Sequence, residues 1–454
     1  MAAMGSTVSA KLLRLDNPIG SLTLAFWLWK ALLFVAVVLC PGPGYDTSTT
    51  LINSERGNHL SYGKLQSLPW PLKFTRWDSI YFLHIAEEGY VFEQEWAFSY
   101  PRILSFFAAV IRWSGGQGGL VNTALVGVVL SHVAHYLSVL ALYRLSANIF
   151  GHATATQRLI CFLSATLHII SPAGAFLSAP YGEPIFSFLN ISGFYLYTSS
   201  LIADHNGARF LRDLQVLTAA VFFALATIVR SNGILSGFLF AYDAIVLVWA
   251  TLTQGPSVTK ARRLAIIILG GCIVASGMVL PQILAYRQYC MGLPDVRPWC
   301  TWALPSIYTW VQEFYWNVGF LRYWTVSNIP LFLLAAPAII IIFQSSLWAL
   351  KAPSTLRSAS GGQSSSPVSP GSMLFRLAVP QGLLAVMALT SYHVQIINRI
   401  SSGYPVWYWW LVSSAMGSLQ DPQKSRRGLS VAAQAMIGYA LIQGVLFGSF
   451  LPPA

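Results

Sequence analysis

The sequence predicts an all-α membrane protein that crosses the bilayer about eleven times and carries two large loops on one side of the membrane. Of the 454 residues, 55% are hydrophobic and 9% are charged, whereas typical soluble domains are about 25% charged. Mean hydropathy is +0.58. Apolar runs of about 20 residues, the length that crosses a bilayer as a helix, recur along the whole chain. The predicted spans lie near 19–40, 120–143, 158–178, 184–203, 214–229, 233–252, 263–285, 328–349, 375–391, 405–419 and 429–450.

The net charge of +12 predicts an orientation in the membrane. In a soluble protein this charge would suggest a nucleic acid partner, but Lys and Arg here concentrate in alternate loops, so none is expected. Short positively charged loops stay in the cytosol, which predicts a cytosolic N-terminus and a non-cytosolic C-terminus. Lys11 and Arg14 precede the first apolar run and no small-residue cleavage site follows it, so we expect a retained span.

The segments between spans differ in character, and the whole of 1–454 is expected to form one membrane domain. Segments 41–118 and 286–327 are expected on the non-cytosolic side, and their many Trp and Tyr residues suit the membrane interface. Segment 350–374, rich in Ser, Pro and Gly, predicts a disordered cytosolic linker. Cys290 and Cys300 share the second loop, where either a disulfide or two structural thiols fit the sequence.

The stretch "FTRWDSIYFLHIAEEGYVFEQEWAFSYP", residues 74–101, is unusually acidic for this chain. Its apolar spacing predicts interfacial helices, with Asp78 at the start of one. Asp78 is either a structural residue, placed at the helix N-terminus and paired with Arg76, or a reactive carboxylate that Arg76 orients. The neighbouring Trp77 is suited to cover a sugar face, and Glu93 fits either a structural or a binding role.

Other polar side chains sit at span ends that the predicted topology places on the same face. Inserting an arginine near the bilayer centre costs about 2.5–3.5 kcal/mol of free energy, so these cations should face protein or water rather than lipid. Snorkelling to lipid headgroups explains any one of them. Their coincidence on one face predicts an anion-binding site. The candidate substrate-binding residues are Arg76, Trp77, Glu93, Tyr181, Glu183, Arg230, Asn232, Asn317, Arg322, His393, Gln395 and Arg399.

A carboxylate facing a ring of cations suits glycosyl transfer from a lipid phosphate. Arginines hold the phosphate, which is already a good leaving group, and one Asp removes the proton of the acceptor hydroxyl. Asp78 is the candidate general base. It is followed by Ser79 and Ile80, so no DxD pair indicates a metal site, and no cofactor is expected.

An ordered series of motifs resembles the PIG-V family of mannosyltransferases, which act in glycosylphosphatidylinositol (GPI) anchor assembly. The series covers most of 70–412 and is more specific than any single motif. It reads "RWDSIYFLHIAEEGYVFEQEWAF", "SPAGAFLSAPYGEPIFSF", "RSNG", "LPDVRPWC", "PSIYTWVQEFYWNVGFLRYW" and "HVQIINRISSGYPVWYW".

The resemblance implies a GT-C glycosyltransferase fold in the endoplasmic reticulum membrane, with a lumenal active site and the family's acidic residue at Asp78. It implies inverting transfer of the second mannose, in α-1,6 linkage, from dolichyl-phosphate-mannose to a GPI precursor that bears one mannose. Membrane lipids and a small accessory membrane subunit are further implied partners. The alternatives are another dolichol-phosphate-sugar-dependent GT-C mannosyltransferase, or a lipid transporter or scramblase with the polar ring as its path.

Overall fold

All regular secondary structure is helical in the part of the chain that the structure, a computed structural model, describes. That part comprises residues 16–40, 45–49, 68–90, 99–115, 118–292, 296–359, 369–417 and 422–451. Its α-helices are α1 Pro18–Val38, α2 Trp70–Lys73, α3 Asp78–Glu88, α4 Tyr100–Trp113, α5 Leu120–Phe150, α6 Ala155–Ile169, α7 Glu183–His205, α8 Arg209–Val229, α9 Phe238–Gln254, α10 Val258–Tyr289, α11 Ile307–Phe314, α12 Ile329–Ala359, α13 Pro370–Thr390, α14 Ile397–Ile400, α15 Val406–Gly417 and α16 Pro422–Gly448.

The predicted class of multi-span helical membrane protein is confirmed, whereas the count of eleven spans is not. Within the described ranges, nine helical stretches are long and apolar enough to cross a bilayer. The other two predicted spans correspond to α6 and α15, which have 15 and 12 residues. α6 ends at Ile169 and α15 begins at Val406, and at both of these points the adjoining irregular chain is largely buried in protein.

Irregular backbone next to α6 is buried in protein, which satisfies the rule that lipid cannot accept unpaired peptide groups. After Ile169 the chain forms a 3₁₀ turn, Gly174–Leu177, and residues 173–184 are all buried, including the first residues of α7. Before α15 the chain likewise passes through the 3₁₀ turn Val394–Ile396, α14 and a second 3₁₀ turn. These two broken segments supply several of the candidate site residues.

Side-chain caps explain where several helices begin. Thr154 and Gln157 form a capping box at the start of α6. Ser257 accepts a hydrogen bond from the Lys260 N–H at the start of α10, at 3.2 Å. Pro281 lies inside α10, where it cannot donate a backbone hydrogen bond and favours a bend.

Small residues let the central helices approach closely, as in other membrane bundles. Gly193 of α7 packs on the Phe223 ring of α8, and a Cβ there would lie 2.5 Å from a ring carbon. Gly277 of α10 packs against the Ala224 carbonyl of α8. Each position therefore holds a helix pair at a distance that a larger side chain would prevent.

Ionic groups collect at the two ends of α7. Glu183, its first residue, contacts Arg230 and Arg399. Near its other end, Asp204 pairs with Arg212 at 2.8 Å. The 23 residues of α7 rise about 34 Å, close to the thickness of a hydrocarbon core of about 30 Å. The bundle therefore has two polar ends, and Glu183 marks one of them.

The predicted loops have more structure than their composition indicated. The first contains α2, α3 and α4, while 50–67 and 91–98 lie outside the described residues. The second contains α11 and a disulfide between Cys290 and Cys300, whose Cα atoms are 5.6 Å apart. The linker expected at 350–374 is shorter, because α12 continues to Ala359 and α13 begins at Pro370. The stretch 360–368 lies outside the described residues.

Candidate active site

Arg399 joins two carboxylates that are far apart in the sequence. Its Nη2 donates to Asp78 Oδ2 at 3.2 Å and to Glu183 Oε1 at 2.8 Å, while its Nε donates to the same Glu183 oxygen at 2.9 Å. The guanidinium carbon lies 4.2 Å from the centre of the Phe176 ring and 5.3 Å from that of Tyr181. Burial lowers the pKa of Arg399, but Glu183 and Asp78 outweigh it and raise that pKa above its usual value.

Glu183 is the buried centre of the charged group. Its side chain is 0% exposed, and Oε1 also accepts an ion-pair contact from Arg230 Nη1 at 2.9 Å. With Asp78 the group contains two cations and two carboxylates, so its formal charge is balanced. Because both planar guanidinium groups bond to the same Glu183 oxygen, that oxygen fixes the orientation of Arg230 and of Arg399.

Asp78 is the exposed member of this group. It is the first residue of α3, and its side chain is 47% exposed, against 13% for Arg399. The N-cap of α3 is Trp77, which makes no side-chain capping bond. Asp78 therefore presents a carboxylate to the cavity beside it, with one oxygen held by Arg399.

A cavity of about 400 Å³ opens beside Asp78. Within the described part of the chain, α3, the end of α8, α10, α11 and the segment before α14 form its walls. Its volume falls in the range of about 300–1,000 Å³ that is usual for small-molecule sites. The polar and aromatic lining residues are Asp78, Tyr81, Phe82, Thr227, Arg230, Ser231, Asn232, Gln282, Tyr308, Gln312, Trp316, Tyr392 and His393.

Several candidates from the sequence do meet at this cavity. Asp78, Arg230, Asn232 and His393 line it directly. Asn232 is held by Tyr404, whose hydroxyl donates to the Asn232 carbonyl at 2.8 Å. The His393 ring contacts the Trp316 carbonyl through Nε2 at 3.0 Å.

Glu183, Tyr181 and Arg399 stand behind the lining. Glu183 and Tyr181 are fully buried, so neither reaches a ligand in this conformation, although both were expected to bind one. The Tyr181 hydroxyl donates to the Arg76 carbonyl at 2.7 Å. Glu183 is connected to the cavity through two cations, Arg399, which bonds to Asp78, and Arg230, which lines the cavity itself.

The expected pairing of Arg76 with Asp78 is wrong. Arg76 is 1% exposed and points away, with Nη2 donating to the Gly448 carbonyl at 3.2 Å and Nη1 to Thr49 Oγ1 at 3.0 Å. Burial lowers the pKa of Arg76 to about 10. The charge partner of Asp78 is Arg399, because the backbone turn at residue 77 sends neighbouring side chains in different directions.

Trp77 forms that turn and does not line the cavity in the described structure. Its φ of +45° is unusual for a bulky residue and is held by packing against Phe447 and Phe450 at centroid distances of 5.4 and 5.1 Å. The Trp77 ring is therefore used in packing against the last helix, and the expectation that it covers a sugar is not met by its position here.

Three further candidates lie away from the cavity. Arg322 forms an exposed ion pair with Glu313 at 2.5 Å. Asn317 is an exposed turn residue with φ of +49°. Gln395 accepts a hydrogen bond from the Tyr323 hydroxyl at 3.2 Å. Glu93, the remaining candidate, lies outside the described residues.

Sequence reasoning missed Gln282, Tyr308, Gln312 and Trp316. A signal for Gln282 was present, since "VLPQILAY" places Pro and Gln within an apolar span, near its C-terminal end. Tyr308, Gln312 and Trp316 gave no such signal, because aromatic and amide residues are frequent throughout that loop. As for metals, no group of three His, Cys, Asp or Glu side chains comes together in the described ranges.

The chain matches one protein family over nearly its whole length. The family model described as "Mannosyltransferase (PIG-V)" matches residues 22–454. A protein named GPI mannosyltransferase 2 from Aspergillus oryzae is 53% identical over 464 aligned positions, covering 100% of both chains. Its namesake from Aspergillus fumigatus is 51% identical, with 96% of this chain and 94% of the relative covered.

More distant similarities extend over nearly the whole chain. GPI mannosyltransferase 2 of Saccharomyces cerevisiae is 29% identical, covering 95% of this chain and 99% of the relative. Among solved structures, the oligosaccharyltransferase of Archaeoglobus fulgidus overlaps 94% of this chain and 53% of its own, with a TM-score of 0.45 and 11% identity. The match of residues 22–454 to the family model, together with the close relatives, shows that this chain belongs to the PIG-V mannosyltransferase family.

Proposed function

We propose that this enzyme transfers the second mannose, in α-1,6 linkage, from dolichyl-phosphate-mannose to a GPI precursor that bears one mannose. The observation that carries the proposal is the half-exposed Asp78 carboxylate, which faces a cavity that also contains Arg230. This reaction needs a carboxylate base that takes the proton of the acceptor hydroxyl and a cation that holds the donor phosphate. The names of the full-length relatives support the choice of acceptor.

In the proposed reaction Asp78 is the general base. The acceptor hydroxyl oxygen attacks the anomeric carbon of the donor mannose as the bond from that carbon to the phosphate oxygen breaks. Asp78 takes the hydroxyl proton, and dolichyl phosphate leaves with the bonding electrons. A single displacement of this kind inverts the anomeric centre, and a positioned base contributes about 10²–10⁴ in rate.

The arginines have different proposed roles. Arg230 lines the cavity and balances the negative charge that grows on the leaving phosphate. Arg399 orients Asp78 through its Nη2 hydrogen bond to Oδ2. Glu183 positions both guanidinium groups. The GT-C arrangement that the family implies, with a catalytic carboxylate on the first lumenal segment, is consistent with these assignments.

The proposed location is the endoplasmic reticulum membrane, with a cytosolic N-terminus and a lumenal cavity. It is supported by the alternation of basic loops and by the grouping of the candidate residues at one end of the bundle. Membrane lipids and a small accessory membrane subunit are the proposed further partners. A tag near Gly63 should be protected in sealed microsomes, while a tag within 360–368 should be cleaved. The opposite pattern would reverse the orientation.

Asp78→Asn tests the catalytic role. The purified variant should bind dolichyl-phosphate-mannose normally, with turnover lower by about 10² or more. Asp46→Asn is the matched control, because Asp46 lies in the same predicted loop, bonds to Ser48 and is absent from the cavity lining described here. Near-normal turnover in Asp78→Asn would reject the assignment, and loss only in Glu93→Gln would move the base to that residue.

Depletion in cells tests the acceptor. Loss of this enzyme should cause a GPI precursor with one mannose to accumulate, identifiable by mass spectrometry of extracted lipids. Accumulation of another mannose acceptor would assign the chain to a different dolichol-dependent reaction. Lipid movement by the purified protein without consumption of dolichyl-phosphate-mannose would instead favour a transporter.

A further inference from the structure

The cavity has two chemically different walls. One carries the charged side chains of Asp78 and Arg230. The other, here called the neutral wall, consists of Ser231, Gln282, Tyr308 and Gln312. A phosphate needs the first kind of surface, whereas sugar hydroxyls are suited to neutral hydrogen-bonding groups. Nothing in the proposed reaction so far uses the neutral wall.

The neutral wall begins at the cation proposed to hold the phosphate. Ser231 directly follows Arg230, and its Oγ donates to the Tyr308 hydroxyl at 2.9 Å. The backbone N–H of Tyr308 in turn donates to Gln282 Oε1 at 3.3 Å. The residues just after α8, the start of α11 and the C-terminal part of α10 therefore form one connected surface leading away from Arg230.

Two amide side chains on this surface have hydrogen-bonding capacity left for a ligand. Gln282 Oε1 accepts from Ser306 Oγ at 3.2 Å as well as from Tyr308, which uses the carbonyl and leaves the NH₂ group to donate. The Gln312 side chain makes no hydrogen bond within the described part of the chain, while its backbone carbonyl accepts from Val318 at 2.7 Å. Both side chains line the cavity.

We propose that the neutral wall binds the hexose that is being transferred, with the Gln282 and Gln312 amides hydrogen-bonded to its hydroxyl groups. This inference rests on the proposed function. The donor sugar is bonded directly to the phosphate, so it must lie beside Arg230, which is where the neutral wall begins. The acceptor sugar must bring its hydroxyl to Asp78 and therefore approaches from the other side of the cavity.

The test measures donor binding and turnover in amide variants. Gln282→Glu keeps the oxygen that accepts from Ser306 and Tyr308 but loses the NH₂ donor. Gln312→Met removes an amide with no protein bond in the described ranges. Gln288→Glu is the matched control, since Gln288 lies farther along α10, is exposed and is absent from the cavity lining described here.

Both cavity variants should raise the KM for dolichyl-phosphate-mannose by about 5- to 15-fold, the effect of losing one hydrogen bond of about 1–1.5 kcal/mol. The KM for the GPI precursor should stay within about twofold, and Gln288→Glu should match the wild type. Donor affinity measured by titration in the Asp78→Asn background should fall by the same factor, which separates binding from catalysis.

Unchanged donor KM in both variants, or a rise confined to the acceptor KM, would overturn the inference. The inference would also be overturned if both variants had a lower melting temperature but unchanged donor affinity. That result would show that the two amides have a purely structural role. The proposed function fails separately, if the wild-type enzyme transfers no mannose to the one-mannose precursor. A wild type that transfers mannose, with amide variants that equal Gln288→Glu, rejects only the neutral wall assignment.

Discussion

Arg399 Nη2 lies 3.2 Å from Asp78 Oδ2, although 321 residues separate the two in the chain. This contact links the first predicted lumenal loop to a broken segment near the end of the protein. Through Glu183 it also reaches Arg230 at the end of α8. The charged group therefore depends on four separate parts of the chain.

Arginine geometry is tested by Arg399→Lys and Arg230→Lys. Lysine keeps the positive charge but offers a single ammonium in place of a planar fork, so it cannot reproduce the two-carboxylate contact of Arg399. We expect turnover to fall at least about tenfold in each variant. Arg322→Lys is the control, because that exposed side chain pairs only with Glu313 in the described structure. Wild-type turnover and donor affinity in both variants would reduce the two arginines to structural partners of Glu183.

The buried carboxylate is tested by comparing Glu183→Gln with Glu313→Gln. Glu183 is 0% exposed and neutralises two arginines, so its loss should destabilise the protein by about 3–5 kcal/mol. Glu313 forms an exposed pair, and its loss should cost less than about 1 kcal/mol. Melting temperatures in the same detergent or nanodisc provide the measurement. Equal melting temperatures for the two variants would contradict the central role of Glu183.

The disulfide is tested by Cys290→Ser. The bridge closes a short loop directly before α11, which lines the cavity. Removing it should lower stability by about 2–4 kcal/mol and reduce turnover. Cys272→Ser is the control, since Cys272 is a free and exposed cysteine on α10, the helix that ends directly before Cys290. Dithiothreitol should lower the wild-type melting temperature and leave that of Cys290→Ser unchanged; the same shift in both would argue against the bridge.

Arg76 is tested by Arg76→Met. Its guanidinium bonds to Gly448 and Thr49 and stacks 4.9 Å from the centre of the Phe450 ring. These contacts tie the start of α3 to the end of α16. We expect stability to fall by about 2–3 kcal/mol, with donor KM unchanged in the folded fraction. A raised donor KM at normal melting temperature would instead restore Arg76 as a substrate-binding residue.

The sequence determined the class of protein and most of its helices. Apolar runs near 20 residues leave few options in a bilayer, because every backbone group must bond within its own helix. It also determined which polar residues were exceptional, and Asp78, Arg230, Asn232 and His393 do line one cavity. Hydropathy could not show that α6 ends at Ile169, because the mostly buried irregular segment that follows it, residues 170–182, contains no charged residue.

Only the tertiary structure decided which charges are partners. Adjacency in the sequence predicted Arg76 as the ion-pair partner of Asp78. The positive φ of Trp77 turns the Arg76 side chain toward α16, and Asp78 pairs with Arg399 instead. The structure also separated Arg322 from the charged group and brought Gln282 to the cavity. The physical reason is that helix packing sets side-chain contacts in three dimensions, while the local sequence constrains only neighbours along a helix or turn.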